Sequence, residues 1–127
     1  MRQILFAILT ITLFAACKKG TTITYRVINN SGEQINFISY YDYSGAGTHS
    51  AIVNNGDTRD ILILSKADGS FDKGYTAGDG IDSIVGITNT GKTVIKDLGD
   101  AGTWSKVTTR KQRLHNFTTE ITTEDIQ

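Results

Sequence analysis

From residue 23 onward the sequence predicts an all-β fold, a single antiparallel two-sheet sandwich. Short runs of β-branched and aromatic residues are separated at regular intervals by Gly, Asn and Asp clusters. Several of these runs alternate apolar and polar positions, the period of two that turns one face of a strand inward. The 127 residues contain no proline, so every backbone amide is free to join a ladder.

The first run, Thr22 to Ile28, carries Ile23, Tyr25 and Val27 on one face and reaches a turn at Asn29-Asn30-Ser31-Gly32. Gln34 to Tyr43 sets Ile35, Phe37, Ser39 and Tyr41 against Asn36, Ile38 and Tyr40, so both faces of that strand are partly apolar. A Gly-rich loop over Ser44 to Thr48 leads to a strand at Ser50 to Val53, and Asn54-Asn55-Gly56-Asp57 turns the chain again. Asp60 to Ser65 has Ile61, Leu62, Ile63 and Leu64 in succession. Such a run predicts a strand buried on both faces or lying at a sheet-to-sheet corner.

Lys66 to Gly80, punctuated by Gly and Asp, is the long loop. Asp82 to Thr88, the turn Asn89 to Lys92, and Thr93 to Leu98 read as a hairpin. Trp104 to Val107 is a short strand, Arg110 to Leu114 a helical turn or loop, and Asn116 to Thr122 the last strand, alternating Phe117, Thr119 and Ile121. Six to eight short strands at this spacing predict a sandwich of immunoglobulin-like outline, with a small β-barrel as the alternative.

Ahead of this domain, Arg2 precedes an uncharged apolar stretch, Ile4 to Ala16, that is too short for the ~20 residues a membrane-spanning helix needs. It has the form of an export signal, and the residues Leu13-Phe14-Ala15-Ala16-Cys17 resemble a lipobox, with Phe14 where Leu is more usual. The resemblance implies cleavage before Cys17, which becomes the lipidated N-terminus with two or three acyl chains. Anchoring of that kind is stable where one chain is marginal, at about 0.8 kcal/mol per buried methylene. The expected organisation is a removed signal over residues 1–16, a lipidated tether over 17–22 and one domain over 23–127. Cys17 is the sole cysteine, so no disulfide can form within the chain.

Lys plus Arg and Asp plus Glu balance at thirteen each, which argues against nonspecific nucleic-acid binding. Gly86-Ile87-Thr88-Asn89-Thr90-Gly91-Lys92-Thr93 spells the nucleotide-binding P-loop pattern. That loop needs a helix behind it, whereas Thr93-Val94-Ile95 continues β-branched and the run is broken at Gly99, too short for two helical turns. The expectation is a hairpin turn, with no nucleotide and no cofactor. Asp68, Ser70, Asp72 and Asp79 have oxygen-ligand spacing reminiscent of a calcium loop, but Lys73 stands where the loop glycine belongs, so a solvated acidic loop is expected.

The two histidines, His49 and His115, have no second cysteine and no zinc spacing beside them, and no Gly-x-Ser-x-Gly elbow occurs. No catalytic or metal residue is therefore assigned. Tyr40, Tyr41, Tyr43 and Trp104 form a candidate aromatic platform for a sugar ring or peptide, weighed against a division between core and surface. Lys106, Arg110, Lys111, Arg113 and His115 make a local basic excess, suited to an acidic glycan or headgroup or simply to a solvated face. Asn29-Asn30-Ser31 and Asn116-Phe117-Thr118 are N-x-S/T sequons, which carry no weight if the host is a bacterium, and Asp82-Ser83-Ile84 resembles the D-S/T-apolar acceptor of Bacteroidetes O-glycosylation.

The junction Phe14-Ala15-Ala16-Cys17-Lys18-Lys19, the opening Tyr25-Arg26-Val27-Ile28-Asn29-Asn30-Ser31-Gly32, the turn Asn55-Gly56-Asp57-Thr58 and the closing run Phe117 to Ile126 together resemble the small Bacteroidetes-type lipoproteins with a β-sandwich domain. Functions in that group are mostly unassigned. The resemblance implies a lipid-anchored binding or structural module of the cell envelope, with a membrane contact through the anchor and an envelope protein or glycan as partner. The alternatives are a glycan-binding accessory protein and a small periplasmic hydrolase. Lys18-Lys19, where surface-exposed members often carry acidic residues, favours the periplasmic side of the outer membrane.

Overall fold

A computed structural model describes residues 20–42, 45–66, 74–109 and 113–127. Among the described residues seven strands form: β1 (Thr21–Asn30), β2 (Ile35–Tyr41), β3 (Gly47–Val53), β4 (Thr58–Lys66), β5 (Ser83–Thr88), β6 (Ser105–Thr109) and β7 (Leu114–Thr122). They make a two-sheet sandwich, not closed into a barrel, with order β4-β1-β7-β6 in one sheet and β3-β2-β5 in the other. One pairing, β1 with β7, is parallel, and every other pairing between these strands is antiparallel.

Alternation in the sequence becomes burial. β1 turns Ile23, Tyr25 and Val27 inward, as its period predicts, and β2 turns in Ile35, Phe37 and Ser39. At the centre Tyr25 stacks on Phe117 with ring centroids 5.4 Å apart and meets Trp104 edge-on at 5.5 Å. Aromatic pairs in these geometries contribute about 0.5–1.5 kcal/mol beyond area burial. The Tyr25 hydroxyl donates to the Ala77 carbonyl (2.7 Å), and the Trp104 indole N–H donates to Leu98 (3.0 Å), so neither ring leaves a polar atom stranded.

Three sequence expectations change. The run Ile61 to Leu64 is not buried on both faces: Tyr25 pairs with Leu62 and Arg26 with Asp60, leaving Ile61 as an extra residue in a β-bulge. The bulge lets Ile61 and Leu62 both point inward while Ile63 remains 58% exposed. Thr93 to Leu98 is not a sheet strand. After the turn the chain makes one bridge to β5, then leaves it, and Val94 bridges Ile126 in the C-terminal tail. The Thr93 and Gln127 backbones exchange two hydrogen bonds, and Ile95 N–H donates to Asp125, so this segment is a strap between sheet and tail.

Third, Asn29 and Asn30 belong to β1 rather than to its turn. The Asn29 side chain is fully buried, donating to Glu33 and Val53 carbonyls (2.8 and 2.9 Å) and accepting from the Ser31 amide and hydroxyl (3.1 and 2.7 Å). Gly32, with φ 87°, then supplies the left-handed step that brings the chain across to the second sheet. Further along, β3 starts at Gly47, inside the expected Gly-rich loop. A Cβ there would lie 2.6 Å from the Tyr41 ring, which covers this glycine across the pair.

Candidate functional site

Cys17, the residue assigned to lipid attachment, and the signal over 1–16 lie outside the described residues, as do Tyr43, Asp68, Ser70, Asp72, Arg110 and Lys111. The first strand begins at Thr21, four residues beyond Cys17. Thr21 pairs with Lys66 at the end of β4, and Thr22 pairs with Leu114 at the start of β7. The chain therefore enters at one end of the sandwich. Turns at Ser31 to Gln34, Asn54 to Asp57 and Asn89 to Lys92 occupy the other end.

Those distal turns are tied to one another. Gly32 N–H donates to the Asn55 side chain, Gln34 donates to Asn54, and Asn89 N–H donates to the Gln34 carbonyl. Lys92 forms a 2.6 Å ion pair with Glu33, and Thr90 hydroxyl donates to the other Glu33 oxygen. These donors, Lys92 first and Thr90 and Thr88 after it, hold the Glu33 carboxyl down at about 2 against an ordinary 4.5.

The P-loop spelling is absorbed by this architecture. Amides of Thr88, Asn89, Gly91, Lys92, Thr93 and Val94 all donate within the fold, so they are not collected around a phosphate. Gly86 lies under Val94, and no helix follows the turn. In the acidic loop, Asp79 accepts from the amide and hydroxyl of Thr76 and caps a short 3₁₀ turn. Among the described residues no three His, Cys, Asp or Glu side chains gather as a metal site.

The aromatic platform is divided between core and surface. Trp104 is buried against Tyr25, and Tyr41 packs half-buried against the core, so neither shares an open surface with Tyr40. Tyr40 alone of the three described aromatics faces outward. The proposed basic excess is likewise split: His115 points into the core, edge-on to Tyr75 at 5.3 Å, while Lys106 donates to the Tyr75 carbonyl. His49 lies on β3, in the other sheet from His115. It lines a small recess with Tyr41, Asp60, Leu62 and Ile63 at the seam where β3 faces β4.

The alternation pattern had left one feature unread. On the outer face of the three-stranded sheet, register aligns Ile52, Asn36 and Ile87 in one row, Ser50, Ile38 and Val85 in the next, and Thr48, Tyr40 and Ser83 in the third. None of these nine carries a charge. Ile52, Tyr40, Val85 and Ile87 are each exposed by 40–47%. The opposite outer face bears the Arg26–Asp60 ion pair and a hydrogen bond from Asn30 to Glu120, with threonines around them. The signal available in the sequence was the mixed character of Ile38 and Tyr40; only the pairing register shows that β3 and β5 extend it. Comparison of the chain with protein-family models, curated proteins and solved structures gives no match.

Proposed function

We propose that this is a lipid-anchored lipoprotein of the bacterial cell envelope, held through Cys17 in the outer membrane and facing the periplasm, where the sandwich is a non-enzymatic binding or structural module. The observation that carries this reading is the N-terminal sequence MRQILFAILTITLFAAC, with its single basic residue, short apolar core and small residues before the only cysteine. The position of β1 supports it: four residues from Cys17 to Thr21 span at most about 14 Å, at roughly 3.5 Å per extended residue. Such a tether sets the sandwich end carrying Thr21, Lys66 and Leu114 against the headgroups and presents the cross-tied turns away from them. An envelope protein or glycan is the class of partner.

Cys17→Ala tests the anchor. Incorporation of labelled fatty acid into the protein is expected to disappear, and the variant is expected to leave the membrane fraction. Full membrane retention without the label would refute lipidation as the anchor.

A further inference from the structure

A sheet with one face in water normally alternates apolar-in and polar-out, and the three-stranded sheet breaks that rule on the side away from the core. From this face we propose a self-association site: its occupant is the same face of a second copy of this chain. The register supplies the argument. A twofold axis in the interface, parallel to β2 and passing over Ile38, lays β3 of one copy over β5 of the other. Ile52 then meets Ile87 of the partner subunit, Ile38 meets Ile38 of the partner subunit, and Tyr40 meets Tyr40 of the partner subunit. In the same rows Asn36 meets its own copy, Ser50 meets Val85 of the partner subunit and Thr48 meets Ser83 of the partner subunit, so apolar pairs alternate with small uncharged polar ones and no charge is opposed, which is compatible with an isologous contact.

Charge points to the same occupant. Any charge on the axis of such a pair would face its own copy, and the nine residues of this face have none, the Arg59 guanidinium lying off the axis, where it donates to the Ile52 carbonyl; the other outer face carries Arg26, Asp60 and Glu120. Area sets the strength. Three strands at about 4.8 Å and seven residues at about 3.4 Å give a patch of roughly 14 by 24 Å. That is under half of the ~800 Å² per partner of a standard interface, so the dimer is weak in free solution. It becomes populated when copies share a surface, because confinement raises their effective concentration. This last step rests on the lipid-anchor reading; the interface itself does not.

The test uses the mature lipidated protein, tagged at its C-terminus with a donor or an acceptor dye and reconstituted at rising density in phosphatidylethanolamine–phosphatidylglycerol vesicles. Energy transfer is expected to rise with surface density above that of randomly placed anchors. Ile38→Glu and Ile38→Lys, each alone, are expected to weaken association about tenfold or more, because like charges then face each other. Mixing the two variants is expected to restore transfer. Tyr40→Glu and Tyr40→Lys repeat the experiment at a second self-facing position if Ile38 variants melt early. Random-level transfer in the wild type, wild-type transfer in the Glu variant alone, or no recovery on mixing would each overturn the proposal. If the wild type stays monomeric while vesicles shield a probe placed at position 38, the occupant is the lipid surface and the proposal fails. Protein that does not partition to vesicles contradicts the anchor instead. The same variants are then compared by sedimentation equilibrium up to millimolar concentration, where charge-pair rescue again decides the interface.

Discussion

Replacing Asn29 with Ala is expected to be among the most damaging single changes available outside the apolar core. The side chain makes four hydrogen bonds in a site with no solvent access, joining the end of β1 to the Ser31–Glu33 turn and to Val53 in the other sheet. Intramolecular hydrogen bonds contribute about 0.5–1.5 kcal/mol each, and a buried group left without its partner costs about 1–3 kcal/mol. The Glu33 carbonyl retains the Ser31 hydroxyl as a donor, which reduces the loss. A destabilisation of about 3 kcal/mol results, a large fraction of the 5–15 kcal/mol typical of a domain, and it lowers Tm by roughly 12–20 °C at this size. Urea unfolding followed by fluorescence measures it directly, because Trp104 is the only tryptophan and is buried beside Tyr25.

Asn29→Asp sharpens the test. A carboxylate oxygen would stand where the amide nitrogen now lies 2.8 and 2.9 Å from two carbonyl oxygens, so the folded state raises the pKa of the introduced carboxyl. Its penalty relative to wild type is then smallest below the unfolded value of about 3.9 and grows as pH rises through the folded one. Asn29→Ala within about 0.5 kcal/mol of wild type, or a pH-independent penalty for Asn29→Asp, would refute the assignment of Asn29 as the buried link between sheets.

Gly86→Ala would put a Cβ 2.5 Å from Val94 Cγ2 and 3.0 Å from Phe37, so it is expected to destabilise by about 1–3 kcal/mol. Adding Val94→Ala is expected to recover part of that loss, read as coupling in a double-mutant cycle. Glu33 gives a pH signature: its folded pKa is depressed, so its contribution is complete above about 4.5 and fades as pH falls toward about 2. The stability difference between wild type and Glu33→Gln should shrink over that window, and a difference unchanged from pH 6 to pH 2 would exclude the Lys92 pair as its source.

Much of the sandwich was legible because burial in a strand has a period of two. Ile23, Tyr25 and Val27, or Phe117 and Ile121, announce their face without knowledge of their neighbours. Turn chemistry was legible for the same local reason: Gly56 and Gly91 adopt φ 83° and 89°, a conformation that costs glycine least. The candidate site was less so. Trp104 looked available for a ligand until Tyr25 and Leu98, distant in sequence or in face, were seen to enclose its ring and take its N–H. The charge-free outer face needed three strands in register before it existed at all.

Sequence by itself determined most of the segments that extend, most of the places where the chain reverses and which side of most strands is apolar, since these follow from dihedral preference and side-chain spacing within a few residues. The tertiary structure decided who pairs with whom. It made β1 parallel to β7, used a bulge at Ile61 to send two consecutive apolar residues inward, strung Thr93 to Ile95 between the edge of β5 and the C-terminal tail, and placed Asn29 inside the sandwich. Each of these choices satisfies buried backbone or amide hydrogen bonds with partners far along the chain, and no local pattern can specify a partner that only folding brings within 3 Å.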